Sequence, residues 1–229
     1  MLNTGYEVLD NVLGGIKKKE VIVLAGYSNV GKTTFIINII NNIAKQIDGK
    51  ILYFYTSKTE LDKRLLEKIA MDNVEIIIDL NITMENIKLK CEEEIKNNLV
   101  LVVIDSAQYL GISDNTKKYT YRTILEEDNF ISKSLNSIAT DLNIPIIGVY
   151  EIHRHRITKA AEEDIFTYDY KKILNLKFDK HFPVLYNSNK RIFLHRDDRH
   201  ENKIPYTDNI NIKEVSVINN NILVCLNRK

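Results

Sequence analysis

The chain has 229 residues, with 32 basic and 31 acidic side chains and a hydrophobic content of 44%. That length and content support a buried core and exclude a disordered chain, while 8 glycines and 3 prolines exclude a collagen-like or linker-dominated one. A formal net charge of +1 gives no global electrostatic argument for a nucleic-acid partner and leaves only a local basic strip to look for.

No stretch approaches the roughly 18 consecutive apolar residues of a membrane span. Met1–Tyr6 has neither the basic start nor the apolar run of a signal peptide. Cys91 and Cys225 stand far apart without CxxC spacing, so neither a disulfide framework nor a zinc site is expected. The chain reads as intracellular and cytoplasmic, with no membrane partner.

In chain order, Val21–Leu24 is a β-branched run that reads as a buried strand, followed by a helical pattern over 32–47. Ile51–Tyr55 reads as a second strand, with helical patterns over 59–71 and 83–97. Leu99–Ile104 and Pro145–Tyr150 are further strands, separated by a helical pattern over 120–142. Continuous apolar runs of this kind suit parallel strands covered on both faces. The last third has a weak helical pattern over 158–174 and strand-like runs at Arg191–His195, Val215–Ile218 and Ile222–Leu226. The last two flank Asn219-Asn220-Asn221, a hairpin signature. The expected fold is α/β: a mostly parallel sheet flanked by helices, with a C-terminal antiparallel hairpin. No repeat, linker or boundary is visible, and 1–229 reads as a single domain.

Gly26-Tyr27-Ser28-Asn29-Val30-Gly31-Lys32-Thr33 matches GxxxxGK[ST], follows a strand and opens a helix, as a P-loop must. Its glycines let the backbone curl around a phosphate, and the helix N-terminus adds its dipole. The set expected to bind the phosphates is Gly26, Ser28, Asn29, Val30, Gly31, Lys32, Thr33 and Thr34. In it Lys32 neutralises phosphate oxygens and Thr33 holds Mg²⁺. The bland alternative is a glycine turn with a solvated lysine. Asp105 directly follows the apolar run 99–104, which places it at the carboxyl end of the sheet, where it can complete a Mg²⁺ site. Taken alone, an aspartate there is equally a turn or cap residue.

Thr4-Gly5-Tyr6-Glu7-Val8-Leu9-Asp10, followed by Gly14-Gly15, resembles the lead-in of RecA-like ATPases. Three further segments are similar to the C-terminal ATPase domain of DnaB-type replicative helicases. They are Asp105–Leu110, the stretch from Ser134-Leu135 to Ile147, and Ile192–Asp198. The resemblance covers residues 4–56 and 99–150 most closely. It implies a RecA-like P-loop ATPase that hydrolyses ATP with Mg²⁺, assembles as a homo-oligomeric hexameric ring and acts on single-stranded DNA in replication. Gln108 falls where the γ-phosphate would be sensed. Arg228, in Leu226-Asn227-Arg228-Lys229, falls where an arginine finger reaches the neighbouring subunit; a solvated terminal arginine is the alternative.

The chain also departs from the family. Counting from Lys32, the position of the glutamate that polarises the attacking water is Ser57, which cannot act as a carboxylate base. Glu60 is the nearest substitute, and equally an ordinary first-turn acid behind a Thr59 cap. The nucleotide-sensing glutamine is replaced by Glu151, and the lysine beside the finger by Leu226. The chain begins almost at the ATPase domain, so an N-terminal collar is not expected.

His153-Arg154-His155-Arg156 lacks a third metal ligand and reads as a basic or plain solvated loop. Lys117, Lys118, Tyr119, Tyr121 and Arg122 combine charge and aromatic rings, as a single-strand contact needs, or form a surface loop. Glu92-Glu93-Glu94 with Lys88, Lys90 and Lys96 reads as a solvated helix face. Three functional readings stand: a DnaB-type ATPase, a hydrolysis-deficient nucleotide-binding regulator or partner of a replicative helicase or its loader, and a RadA- or KaiC-like ATPase.

Overall fold

The computed structural model describes residues 1–56, 66–69, 71–110, 121–152, 183–196, 210–218 and 221–228. Among the described residues, eight strands form one sheet: β1 (Val21–Gly26), β2 (Lys50–Tyr55), β3 (Val74–Ile78), β4 (Leu99–Asp105), β5 (Ile146–Glu151), β6 (Lys190–Arg196), β7 (Ile210–Ile218) and β8 (Asn221–Arg228). Their order is β3-β2-β4-β5-β1-β6-β8-β7. Every pairing is parallel except β7 with β8, which is antiparallel. The expected parallel sheet with a C-terminal antiparallel pair is therefore present.

The two faces separate cleanly by residue parity, since successive side chains of a strand point to opposite faces. Val21, Val23, Ala25, Leu52 and Phe54 enter one core cluster with Ile87 and Cys91 of the helix Met84–Ile95 and Leu135 of the helix Tyr121–Asp141. Ile22, Leu24, Ile51 and Tyr53 enter the other, with Phe35, Ile36 and Ile40 of α2 (Lys32–Ala44) and Leu9 of α1 (Glu7–Leu13). Helices thus cover both faces, which is why the strands read as continuous apolar runs.

The T-G-x-x-x-L-D lead-in has a clear mechanical role. The Asp10 carboxylate accepts the backbone N–H of Thr4 at 2.7 Å and of Gly5 at 3.1 Å. Asn42 of α2 donates to the Thr4 carbonyl at 3.0 Å, and Tyr6 stacks on Phe35 with ring centroids 5.2 Å apart. Gly5 sits at φ +81°, where a side chain would also run into Asn42. The segment is a clamp on the helix that carries the P-loop.

β3 was not anticipated: its run Val-Glu-Ile-Ile-Ile carries a charge and lies at the sheet edge. A short helix, Pro183–Tyr186, was not anticipated either. The P-loop helix ends at Ala44, three residues before the expected Ile47, and the Asp48-Gly49 step leads into β2. The 83–97 pattern forms the helix Met84–Ile95, which starts on a capping box between Thr83 and Asn86. The helical patterns over 59–71 (mostly) and 158–174, the 153–156 basic run and the Asn219-Asn220 turn lie outside the described residues. Among the described residues, no helix is long and apolar enough to cross a membrane.

Candidate nucleotide site

The P-loop leaves β1 at Gly26 and enters α2 at Lys32. Ser28 and Asn29 are exposed, while Val30 is buried and anchors the loop in the core. Asn29 at φ +60° and Gly31 at φ +99° supply two left-handed positions, so the backbone turns back on itself before the helix. A Cβ on Gly26 would lie 3.0 Å from the Leu194 carbonyl of the adjacent β6. Glycine is needed there to keep the loop seated against the sheet. Thr34 is buried behind the loop, and Lys32 is 8% exposed.

Asp105, Glu151 and Gly26 end three neighbouring strands, β4, β5 and β1. Parity decides where the two carboxylates point. Leu101, Val103 and Asp105 alternate onto one face, Ile147, Val149 and Glu151 onto the same one, and that face is the one α2 covers. Asp105 therefore meets Thr33, which hydrogen-bonds its side chain. It also accepts from the Tyr53 hydroxyl at 3.1 Å and the Ser106 hydroxyl at 2.9 Å. Asp105 is 1% exposed. Burial raises its carboxyl above the ordinary range, opposed by the Thr33, Ser106 and Tyr53 hydrogen bonds and the nearby Lys32 charge.

Thr56 closes the floor of the site. Its hydroxyl oxygen donates to the Ser106 carbonyl and accepts from the Ser106 N–H, both at 2.9 Å. Tyr53, Thr56 and Ser106 also line the candidate site, and no signal in the sequence marks them for it. Tyr53 lies two residues before Tyr55 on the same face of β2 and had no motif to mark it; only the register Tyr55↔Asp105 brings it near.

Lys32 Nζ donates to the Tyr27 carbonyl at 2.8 Å and lies 3.9 Å from a Glu151 carboxylate oxygen. Gln108, in the 3₁₀ turn Ala107–Tyr109, accepts the Glu151 N–H at 3.2 Å through its side-chain oxygen. Among the described residues its buried side-chain nitrogen has no hydrogen-bond acceptor, an uncommon state for a polar group that a ligand oxygen would relieve. The donor set fits a phosphate and a hard divalent cation. Thr33 and Asp105 supply adjacent oxygens, and Lys32 stands beside them. Arg228 ends β8, and its side chain, like Ser57 and Glu60, lies outside the described residues. So do Lys117, Lys118 and Tyr119 and the side chains of Tyr121 and Arg122.

A sequence profile described as the DnaB-like helicase C terminal domain matches residues 1–76. Among curated proteins, the chain is 29% identical over 198 residues to a probable replicative DNA helicase of Trieres chinensis, covering 72% of this chain and 43% of that one. It is 26% identical to the replicative DNA helicase DnaB of Mycoplasma genitalium, over 95% of this chain and 51% of the relative. The chain is similar to the DnaB-like helicases over its N-terminal third and, at lower identity, over most of its length. It spans about half the length of these relatives. Among solved structures, an ATPase domain superposes with a TM-score of 0.67 at 15% identity, covering 91% of this chain and 80% of that one. A DnaB-like replicative helicase studied with primase gives 0.67 at 16% identity, covering 91% and 54%. The chain has the fold of these ATPase domains, the RecA-like fold that its lead-in and P-loop motif imply.

Proposed function

We propose that this chain binds ATP with Mg²⁺ and hydrolyses it as a DnaB-helicase-type ATPase acting on single-stranded DNA in replication. The observation that supports the reading best is the meeting of Thr33 and Asp105 beside Lys32 at the carboxyl ends of β1 and β4. Lys32 leaves the Tyr27 carbonyl to hold β- and γ-phosphate oxygens. Thr33 and Asp105 are the residues that would hold the cation. When bound, the cation neutralises charge developing on the phosphates. Gln108 presents its unsatisfied amide nitrogen to the γ-phosphate region. Arg228 acts on the nucleotide of a neighbouring subunit in a ring, and Glu60 stands in for the base absent at Ser57. Catalysis of this kind is positioning and charge stabilisation.

The experiment is steady-state ATP hydrolysis with Mg²⁺, with and without single-stranded DNA, against Lys32→Ala. Turnover above that blank that rises with DNA is the expected result. Nucleotide binding with turnover at the level of the blank leaves a second reading: a nucleotide-binding regulator of a replicative helicase or its loader. The Glu151 carboxylate beside Lys32 and the serine at position 57 favour it.

A further inference from the structure

The P-loop lysine already has a carboxylate beside it. Glu151 Oε2 lies 3.9 Å from Lys32 Nζ, and the Glu151 backbone is pinned by its pairing with Gly26 and by the Gln108 side chain. The Lys32 ammonium is the group that a triphosphate's β- and γ-oxygens must reach. A carboxylate that shares this ammonium also stands close to any γ-phosphate the ammonium binds. Lys32 is 8% exposed and the Glu151 side chain 23% exposed, so solvent screens the charges only in part.

Resting on the nucleotide-site reading above, we propose that Glu151 discriminates against the γ-phosphate, so that the site favours a nucleoside diphosphate over a triphosphate. Two effects act in the same direction. The carboxylate repels the extra negative charge of a terminal phosphate, and it competes for the ammonium that would neutralise that charge. A diphosphate ends one phosphate short, and its β-phosphate keeps the P-loop backbone and the α2 N-terminus. The Glu151 side chain acts here as a selector of ligand charge. It is a binding determinant and takes no proton in this role.

The test compares dissociation constants for Mg-ADP and for the non-hydrolysable Mg-AMP-PNP in the wild type, Glu151→Gln and Glu151→Asp. The wild type is expected to bind ADP more tightly. Glu151→Gln keeps the shape and removes the charge, and shifts the ADP-to-AMP-PNP ratio toward the triphosphate by about tenfold, as expected for one partly screened charge pair at this range. Glu151→Asp keeps the charge and stays within about threefold of the wild-type ratio. Circular dichroism of each variant and retained ADP binding establish that the site is intact. Because Glu151 is partly exposed at a strand end, Glu151→Ala serves as a second neutral variant should Glu151→Gln fail to fold. An unchanged ratio in a folded neutral variant, or a wild type that prefers AMP-PNP, overturns the proposal while nucleotide binding stands. A wild type that binds neither nucleotide overturns both.

Discussion

The Tyr53 hydroxyl donates to the Asp105 carboxylate at 3.1 Å, across the parallel ladder between β2 and β4. Both groups are buried, at 0% and 1% exposure, so neither can turn to water if the other is lost. Removing the hydroxyl leaves Asp105 with its Ser106 and Thr33 donors. Tyr53→Phe is expected to lower stability by about 1.5–3 kcal/mol, the usual worth of a hydrogen bond to a charged group. Urea unfolding at neutral pH checks it, and an unchanged midpoint would show that the hydroxyl contributes nothing net.

Thr33 and Asp105 act on one cation in the proposed site, so their substitutions should not add. Thr33→Ala or Asp105→Asn alone should cost about 10- to 100-fold of the Mg²⁺-dependent gain in nucleotide affinity. The double variant should cost little more than the worse single one, because the second change has no cation left to lose. Titrating nucleotide with and without Mg²⁺ reads the cycle directly. Fully additive losses would place the two residues in separate interactions.

Acid should weaken the fold through Glu94. This carboxylate is nearly buried and accepts from Lys50 and Lys90, each at 2.7 Å, and from Asn97 at 2.8 Å. Those hydrogen bonds hold its carboxyl at about 2, below an ordinary value of 4.5. A depressed carboxylate stabilises the fold fully above its unfolded value and loses that contribution as pH falls toward the folded one. Wild type should exceed Glu94→Gln in stability at pH 7, and the difference should close between about pH 4.5 and about pH 2. A difference that is constant across that range would assign the effect to shape. The reading of Glu94 as part of a solvated face is corrected by this geometry: it faces Lys50 of β2 and pairs with Lys90 four residues before it, while the i,i+4 pair Lys88–Glu92 is the exposed one.

Gly5→Ala tests the lead-in clamp. The added methyl meets Asn42 and forces an L-residue to φ +81°, both unfavourable. A loss of about 1–2 kcal/mol is expected from the backbone conformation alone. Thermal denaturation measures it; a neutral outcome would mean that α1 re-seats without cost.

Both cysteines should be silent in the folded state. Burial pushes the Cys91 thiol up to about 12, with the Glu92 charge adding, and Cys225 is 4% exposed. A chromogenic disulfide reagent at pH 8 should label neither faster than the protein unfolds, since the thiolate is the reactive species. Prompt labelling of one equivalent would show local opening around one thiol.

Sequence alone determined the strands that matter and the glycine-flanked loop that opens α2. Their signals are local: β-branched runs too long to face water, two glycines at fixed spacing, and a lysine and threonine opening a helix. Asp105 was legible because an acid abruptly ends an apolar run, and Leu9 and Asp10 because they recur in a known lead-in. The edge strand β3 was not, because five residues with a charge among them carry too little period to stand out. Which groups surround Asp105 was decided by tertiary structure. Tyr53 and Thr56 reach it only through the β2–β4 register and Ser106 through the turn that follows, and a shift of one residue would have sent Tyr53 to the opposite face. The same holds for Glu151. In sequence it was a departure from a motif; on the folded sheet, parity puts its carboxylate on the α2 face, 3.9 Å from Lys32 despite their wide separation along the chain. Strand parity is written in the chain, but which strands lie side by side depends on how the whole sheet packs.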